Sequence, residues 1–275
     1  MTTTLPGPVV DAAWLTDHLD AVVVCDTRWY LDGRSGRSAY DGGHIPGARF
    51  VDLDADLSAP AGTRGRHPLP SPDHFAAAMG RLGIDRTSLV VAYDDAGGMV
   101  AGRMWWMLDS LGVACSVLDG GIDAWQGALA FEAPTVQPAT FEPAPWPSDR
   151  FITADDVAAL DPDTVLIDAR SSERYRGDEN PVDPRFGHIP GAASAPFAEN
   201  LADGRLKGID ELGAHYEALG VNAETEVVAY CGSGVSACMD LLALRLAGVD
   251  QTRLYVGSWS EWGADPDRPI ETGDA

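Results

Sequence analysis

At 275 residues the chain has room for two ordinary domains, since domains run to roughly 100–200 residues. Its 42 acidic residues against 19 basic ones give a formal charge of -23, with Lys207 the single lysine, which excludes a nucleic-acid or anionic-membrane surface and reads as a well-solvated acidic exterior. Hydrophobic residues make up 45% of the chain and no apolar run is long enough to cross a bilayer, so a soluble, globular protein is expected. The N-terminal stretch Met1-Thr2-Thr3-Thr4-Leu5-Pro6 has no basic region followed by an apolar one, giving no case for a secretory signal and making the cytoplasm the expected location. The four cysteines, Cys25, Cys115, Cys231 and Cys238, show neither CxxC pairing nor zinc-finger spacing, so reduced thiols are expected rather than disulfides or a structural metal.

In chain order, residues 22–24 read as a buried strand, and Ser71-Pro72-Asp73-His74 opens a helix with a serine cap and a proline at the first position. Residues 89–93 and 116–118 read as further strands. Residues 132–149 hold Pro134, Pro138, Pro143, Pro145 and Pro147 without an apolar period, as an extended surface connector would. Beyond it, Thr153-Ala154-Asp155-Asp156 starts a helix, residues 165–167, 226–230 and 253–255 read as strands, and residues 235–246 as a helix.

The second series of elements restates the first. Gly43-His44-Ile45-Pro46-Gly47-Ala48 returns letter for letter as Gly187-His188-Ile189-Pro190-Gly191-Ala192, and Val90-Val91-Ala92-Tyr93 as Val227-Val228-Ala229-Tyr230. With two looser matches in the same order, around Asp26 and Asp168 and around Gly121 and Ser258, the pattern implies a duplication. The expected organisation is a domain over 1–130, a Pro-rich linker over 131–149 and a domain over 150–275. Each is an α/β domain, an open parallel sheet with helices on both faces. His44 and His188 recur in both halves inside a Pro-Gly turn and read as structural.

Ligands in such folds bind beyond the carboxyl ends of the strands. Cys231 stands there, followed by Gly232-Ser233-Gly234-Val235-Ser236-Ala237 and then a helix. The glycines let the turn curl so that main-chain N–H groups point inward as an anion nest, where a thiol is expected to shift toward its nucleophilic thiolate. Cys25 and Cys115 read as core cysteines, and Cys238 as core in preference to a resolving thiol.

That loop, the paired His-Ile-Pro-Gly-Ala blocks and Gly257-Ser258-Trp259 resemble tandem rhodanese-type sulfurtransferases along essentially the whole chain, closest to the 3-mercaptopyruvate branch. In the thiosulfate branch the resemblance would place Arg and Lys where Gly232 and Ser233 stand; Ser236 takes the place of a threonine. A neutral loop suits mercaptopyruvate, whose carboxylate lies away from its reacting sulfur, better than dianionic thiosulfate. The resemblance singles out Arg174 and Arg185 as the carboxylate-binding pair, Gly232, Gly234, Val235, Ser236 and Ala237 as the loop around the outer sulfur, and Ser233, His67 and Asp54 as a proton-handling set. His67 and Asp54 would reach Cys231 from the first half. That half has Asp94 at the nucleophile's position and is expected to be catalytically silent. Arg170 reads as structural.

The resemblance further implies a small anionic sulfur donor, a Cys231 persulfide, and as acceptor a thioredoxin-like protein, a low-molecular-weight thiol or cyanide, with no metal or organic cofactor. Thiosulfate as main donor is the alternative. A cysteine phosphatase is disfavoured because the position six residues after the nucleophile is Ala237 where an arginine is required, and a non-catalytic sulfur-binding or interaction module fits only the first half.

Overall fold

The computed structural model describes residues 3–274. Met1 and Thr2, which begin the first expected half and the segment read as lacking a signal, and Ala275, which ends the second half, lie outside the described residues. The chain folds as two compact units. One runs to Ala59 and resumes over Leu69–Trp146, and the other takes Pro60–Pro68 together with the chain from Pro147 onward. No helix among the described residues is long and apolar enough to cross a membrane.

The first unit contains β1 (Val9–Val10), α1 (Ala12–His18), β2 (Val23–Asp26), α2 (Gly36–Asp41), β3 (Arg49–Phe50), α3 (Pro72–Arg81), β4 (Val90–Tyr93), α4 (Met99–Ser110) and β5 (Cys115–Leu118). Its strands pair in parallel in the order β1-β5-β4-β2-β3. The second unit contains β6 (Phe151–Ile152), α5 (Ala154–Ala158), β7 (Val165–Asp168), α6 (Ser172–Arg176), β8 (Ala193–Ser194), β9 (Leu201–Ala202), β10 (Arg205–Leu206), α7 (Ile209–Glu217), β11 (Val227–Tyr230), α8 (Ala237–Leu246), β12 (Thr252–Tyr255) and α9 (Ser258–Trp262). Its main sheet repeats the order, β6-β12-β11-β7-β8, again in parallel. The two α/β domains with helix-flanked parallel sheets expected from the sequence are thus present.

The central strands are legible because they are buried on both faces: every residue of β4 and β11 is inaccessible. The helix that follows each is buried nearly all round, over Val100–Leu108 in α4 and Ala237–Leu244 in α8. The edge strands β1, β3, β6 and β8, two residues apiece, are too short to show an alternation and went unread. So did the hairpin β9–β10, whose Asp203 and Gly204 take φ of 50° and 75° to close a two-residue turn.

The duplicated blocks have a common physical role. In the first unit Tyr93 Oη donates to Asp26 and accepts from the Ile45 N–H, Arg28 bridges Asp26 and the Gly43 carbonyl, and His44 stacks on Tyr40. In the second, the Ile189 N–H donates to Tyr230 Oη, Arg170 bridges Asp168 and the Gly187 carbonyl, and His188 stacks on Tyr175. The repeated His-Ile-Pro-Gly-Ala turn therefore pins a strand end, and the two histidines are structural as expected.

Two boundaries need correction. The stretch expected as an extended surface connector has no regular structure and is tethered to its unit: Phe141 is buried edge-on against Phe75 at 5.8 Å, Trp146 packs on Phe75, and the Ala139 N–H donates to the Gly80 carbonyl, so it lies along α3 and its residues to Trp146 count with the first unit. Residues 60–68, expected in the first domain, belong to the second unit.

Asp240, fully buried in α8, accepts from Asn200 and Tyr216 through Oδ1 while Oδ2 has no partner, and burial raises its pKa to about 8. The folded chain therefore holds a proton that the unfolded chain releases near pH ~4. This contribution is complete below that pH and is lost as the pH rises through about 8. Asp240→Asn should flatten stability against pH across that window and exceed the parent at alkaline pH by about 1–3 kcal/mol, read by chemical denaturation at a series of pH values.

Candidate active site

Strand β11 ends at Tyr230 and the chain turns at once through Cys231 toward α8. Cys231 is 2% exposed. Its N–H donates to Ser258 Oγ at 3.1 Å, its carbonyl accepts from the Trp259 N–H, and the Gly232 carbonyl accepts from the Ser260 N–H, both at 2.9 Å. Gly234 requires glycine, with φ of 72° and the Val256 carbonyl 2.4 Å from where a Cβ would sit. Cys238 is buried, with Sγ 3.5 Å from the Gly234 carbonyl. Burial raises Cys25 to about 12 and lifts Cys115 well above the ordinary thiol value, which makes both core residues inert.

The first unit shows the same turn with a carboxylate in it. Asp94, at the position of Cys231, folds its carboxylate back onto the N–H groups of Ala96, Gly98, Val100 and Ala101 at 2.8–3.0 Å. Burial pushes Asp94 upward and these four donors pull it back. The first unit's nest is thus filled by its own side chain. Counting from the nucleophile, the corresponding residues of the second unit are Ser233, Val235, Ala237 and Cys238, with only a cysteine in place of the carboxylate.

Residues 60–68 form an arm of the second unit that supplies groups the loop lacks. His67, 5% exposed, shares a 2.8 Å hydrogen bond between Nδ1 and Ser233 Oγ. Arg66 was not singled out from the sequence. Its N–H donates to Ser260 Oγ at 3.0 Å and its Nη1 to the Val182 carbonyl at 3.0 Å, while its Nε is buried with no hydrogen-bond partner. Burial first, then the charge of Arg174, push Arg66 below the usual arginine range.

Arg66 and Arg174 converge on Gly232, each with Nη2 2.8 Å from where a Cβ would stand. A side chain at 232 would have to displace the ends of two arginine side chains, so the cations beside Cys231 come from outside the loop. Arg174 is oriented by a two-pronged pair with Asp183, at 2.9 and 2.5 Å, and Asp183 also receives Arg170 and Asn180. Although burial alone would raise it, these donors hold Asp183 below the usual carboxylate range. Arg170, fully buried against Asp168, is structural as expected.

Arg185 is the exception among the expected residues. Its Nε donates to the Gly263 carbonyl, and its Nη2 reaches the carbonyls of Trp262, Asp265 and Arg268, so it fastens the chain end after α9 instead of pairing with Arg174. Those carbonyls follow a short helix and need donors; a count of arginines along the sequence does not show the demand. Asp54 lies in the first unit, where its carboxylate accepts from the Trp29 indole N–H at 3.0 Å.

A cysteine at the end of a parallel sheet, at the position where the other unit folds a carboxylate onto main-chain N–H groups, is the arrangement on which the chain can be compared with known enzymes. The chain belongs to the rhodanese-like domain family, whose model matches residues 11–128 and again 153–265. It is 46% identical over 264 residues, 92% of this chain and 93% of the relative, to "Probable 3-mercaptopyruvate sulfurtransferase" of Pseudomonas aeruginosa. It is 42% identical over 267 residues, 93% of both chains, to "Putative thiosulfate sulfurtransferase SseB" of Mycobacterium tuberculosis. The crystal structure of Escherichia coli SseA, described with the rhodanese fold of 3-mercaptopyruvate sulfotransferases, superposes with a TM-score of 0.79 at 35% identity over 92% of this chain and 99% of its own.

Arg185→Met should lower stability by about 2–4 kcal/mol, because several buried carbonyls lose a charged donor. The KM for the sulfur donor should stay within about twofold of the parent's, since the interactions lost are structural. Denaturation and steady-state kinetics on the same preparation check both.

Proposed function

We infer that the protein is a sulfurtransferase whose principal donor is 3-mercaptopyruvate. The reading rests above all on the convergence of Arg66 and Arg174 at Gly232, beside a loop that carries no charge of its own. Two guanidinium groups at the mouth of a neutral nest suit a donor with its carboxylate at one end and its sulfur at the other. The names of the P. aeruginosa and E. coli relatives agree.

The Cys231 thiolate attacks the sulfur of 3-mercaptopyruvate. The new S–S bond forms as the C–S bond breaks, and that electron pair becomes the enolate of pyruvate. A proton delivered to the enolate carbon completes pyruvate and leaves a Cys231 persulfide. Ser233, joined to His67, stands where it can donate to the carbonyl oxygen as charge builds on it, with His67 the group able to exchange a proton near neutral pH. The N–H groups of the 232–237 loop hold the outer sulfur as an anion, as their counterparts hold Asp94. The acceptor thiolate, or cyanide, then attacks the outer sulfur and regenerates the Cys231 thiolate. Asp54 orients His67 in this scheme on the strength of the resemblance alone. A low-molecular-weight thiol or a thioredoxin-like protein is the proposed acceptor, and the cytoplasm the proposed location.

Thiosulfate is the second reading. The same two guanidinium groups could receive its sulfonate, and the M. tuberculosis relative's name points that way.

Donor added without acceptor should leave one extra sulfur on the peptide containing Cys231, seen by mass spectrometry, and Cys231→Ser should abolish turnover. An active enzyme with unmodified Cys231 would remove the persulfide scheme. In steady state, kcat/KM for 3-mercaptopyruvate should exceed that for thiosulfate by at least about tenfold, which corresponds to ~1.4 kcal/mol of transition-state binding. The reverse order would establish thiosulfate as the donor.

A further inference from the structure

Ser258 and Asp203 are the non-glycine residues with positive φ among the described residues, and only Ser258 lies at the site. Its φ is 53°, and it is fully buried. The matching residue of the silent unit, in Asp119-Gly120-Gly121-Ile122 against Val256-Gly257-Ser258-Trp259, is Gly121, with a φ of 56°. Both units thus need the same left-handed corner. The silent unit meets it with glycine, which adopts that conformation without steric cost, and the catalytic unit meets it with a residue that does not.

The difference between the two is a hydroxyl. Ser258 Oγ donates to the Tyr255 carbonyl at 2.8 Å and accepts from the Cys231 N–H at 3.1 Å. The main-chain link that follows exists in both units: Ile122 N–H to the Asp94 carbonyl in one, Trp259 N–H to the Cys231 carbonyl in the other. The serine bond therefore adds to a framework already adequate for the turn. Two residues on, Ser260 Oγ donates to the Gly257 carbonyl and accepts from the Arg66 N–H, and its own N–H donates to the Gly232 carbonyl. The arm approaches this corner closely at Gly65, where a Cβ would lie 2.6 Å from the Gly257 carbonyl and 2.9 Å from Ser260 Oγ.

We propose that the 257–260 corner is a positioning device in which Ser258 fixes the nucleophile and Ser260 fixes the Arg66-His67 arm, so that one rigid turn sets the spacing between thiol and cation. The Ser258 bond to the Cys231 N–H holds the cysteine's backbone so that Sγ stays over the loop's N–H groups. The Ser260 bond to the Arg66 N–H sets where the guanidinium stands beside Gly232. Neither serine is assigned contact with a substrate. The proposal rests on Cys231 being the sulfur carrier and on Arg66 binding the donor.

Ser258→Gly, Ser258→Ala and Ser260→Ala separate these roles. Ser258→Gly removes the hydroxyl and the strain together, so its melting temperature should equal or exceed the parent's. Its single-turnover rate of sulfur transfer to Cys231 should fall at least about tenfold, and the pH midpoint for iodoacetamide alkylation of Cys231, followed by mass spectrometry of that peptide, should move upward. Ser258→Ala keeps the strain and should lose both rate and melting temperature. Ser260→Ala should raise the donor KM about threefold or more and leave the alkylation midpoint where it was. Parent-like rate and midpoint in Ser258→Gly would overturn the role of Ser258, and an unchanged KM in Ser260→Ala that of Ser260. The alkylation profile reports on the thiol whichever donor the enzyme prefers, so failure here is distinct from failure of the donor assignment.

Discussion

A strand that runs straight into a helix leaves a ring of main-chain N–H groups at the junction, and burial obliges something to occupy it. Both units of this chain are organised around that demand. In the first, the Asp94 carboxylate takes four of the donors. In the second, Cys231 occupies the same position in the chain, and in the proposed scheme an anionic outer sulfur takes the place of the carboxylate. The duplicated skeleton around the ring, with Tyr93 and Asp26 on one side of the repeat and Tyr230 and Asp168 on the other, is the same in both units. The two junctions differ in the residue that follows the strand, Asp94 in one and Cys231 in the other.

The charge distribution follows from the same constraint. A cation inside the turn would stabilise an anion at the cost of the space around Gly232, which two guanidinium groups already claim. Cations brought from the arm and from α6 leave the loop to its N–H groups. Asp183 then acts as an orienting counter-charge: it holds Arg174 through Nε and through Nη2, the nitrogen that also lies nearest Gly232. In a chain with 42 acidic residues, Arg66 and Arg174 beside Gly232 make a local positive spot, which is what the proposed anionic donor requires.

Much of this was legible in the sequence, for physical reasons. Doubly buried central strands appear as β-branched runs, and a nucleophile's loop announces itself because Gly232 and Gly234 have no other use after a strand. The pairing of Ser233 with His67 was reached by resemblance and is realised at 2.8 Å. What escaped depends on the third dimension. Two-residue edge strands have no period. Arg66 sits beside a histidine that drew the attention, and only its convergence with Arg174 marks it. Arg185, singled out by resemblance as a partner of Arg174, donates instead to carbonyls around the end of α9, a demand that only the folded chain displays. The Pro-rich stretch shows its extended form in the sequence, but not the Phe75–Phe141 contact that tethers it.

The arm formed by residues 60–68 has a historical implication. A gene cut at the Pro-rich stretch would yield a fragment that keeps Cys231, Ser233 and Arg174 and lacks Arg66 and His67. The loan runs one way: a strip of the first half has joined the second unit, and nothing of the second half has joined the first. The repeat in the sequence and the repeat in the fold are therefore cut at different places, and the boundary that a sequence suggests is not the one along which this molecule would come apart intact.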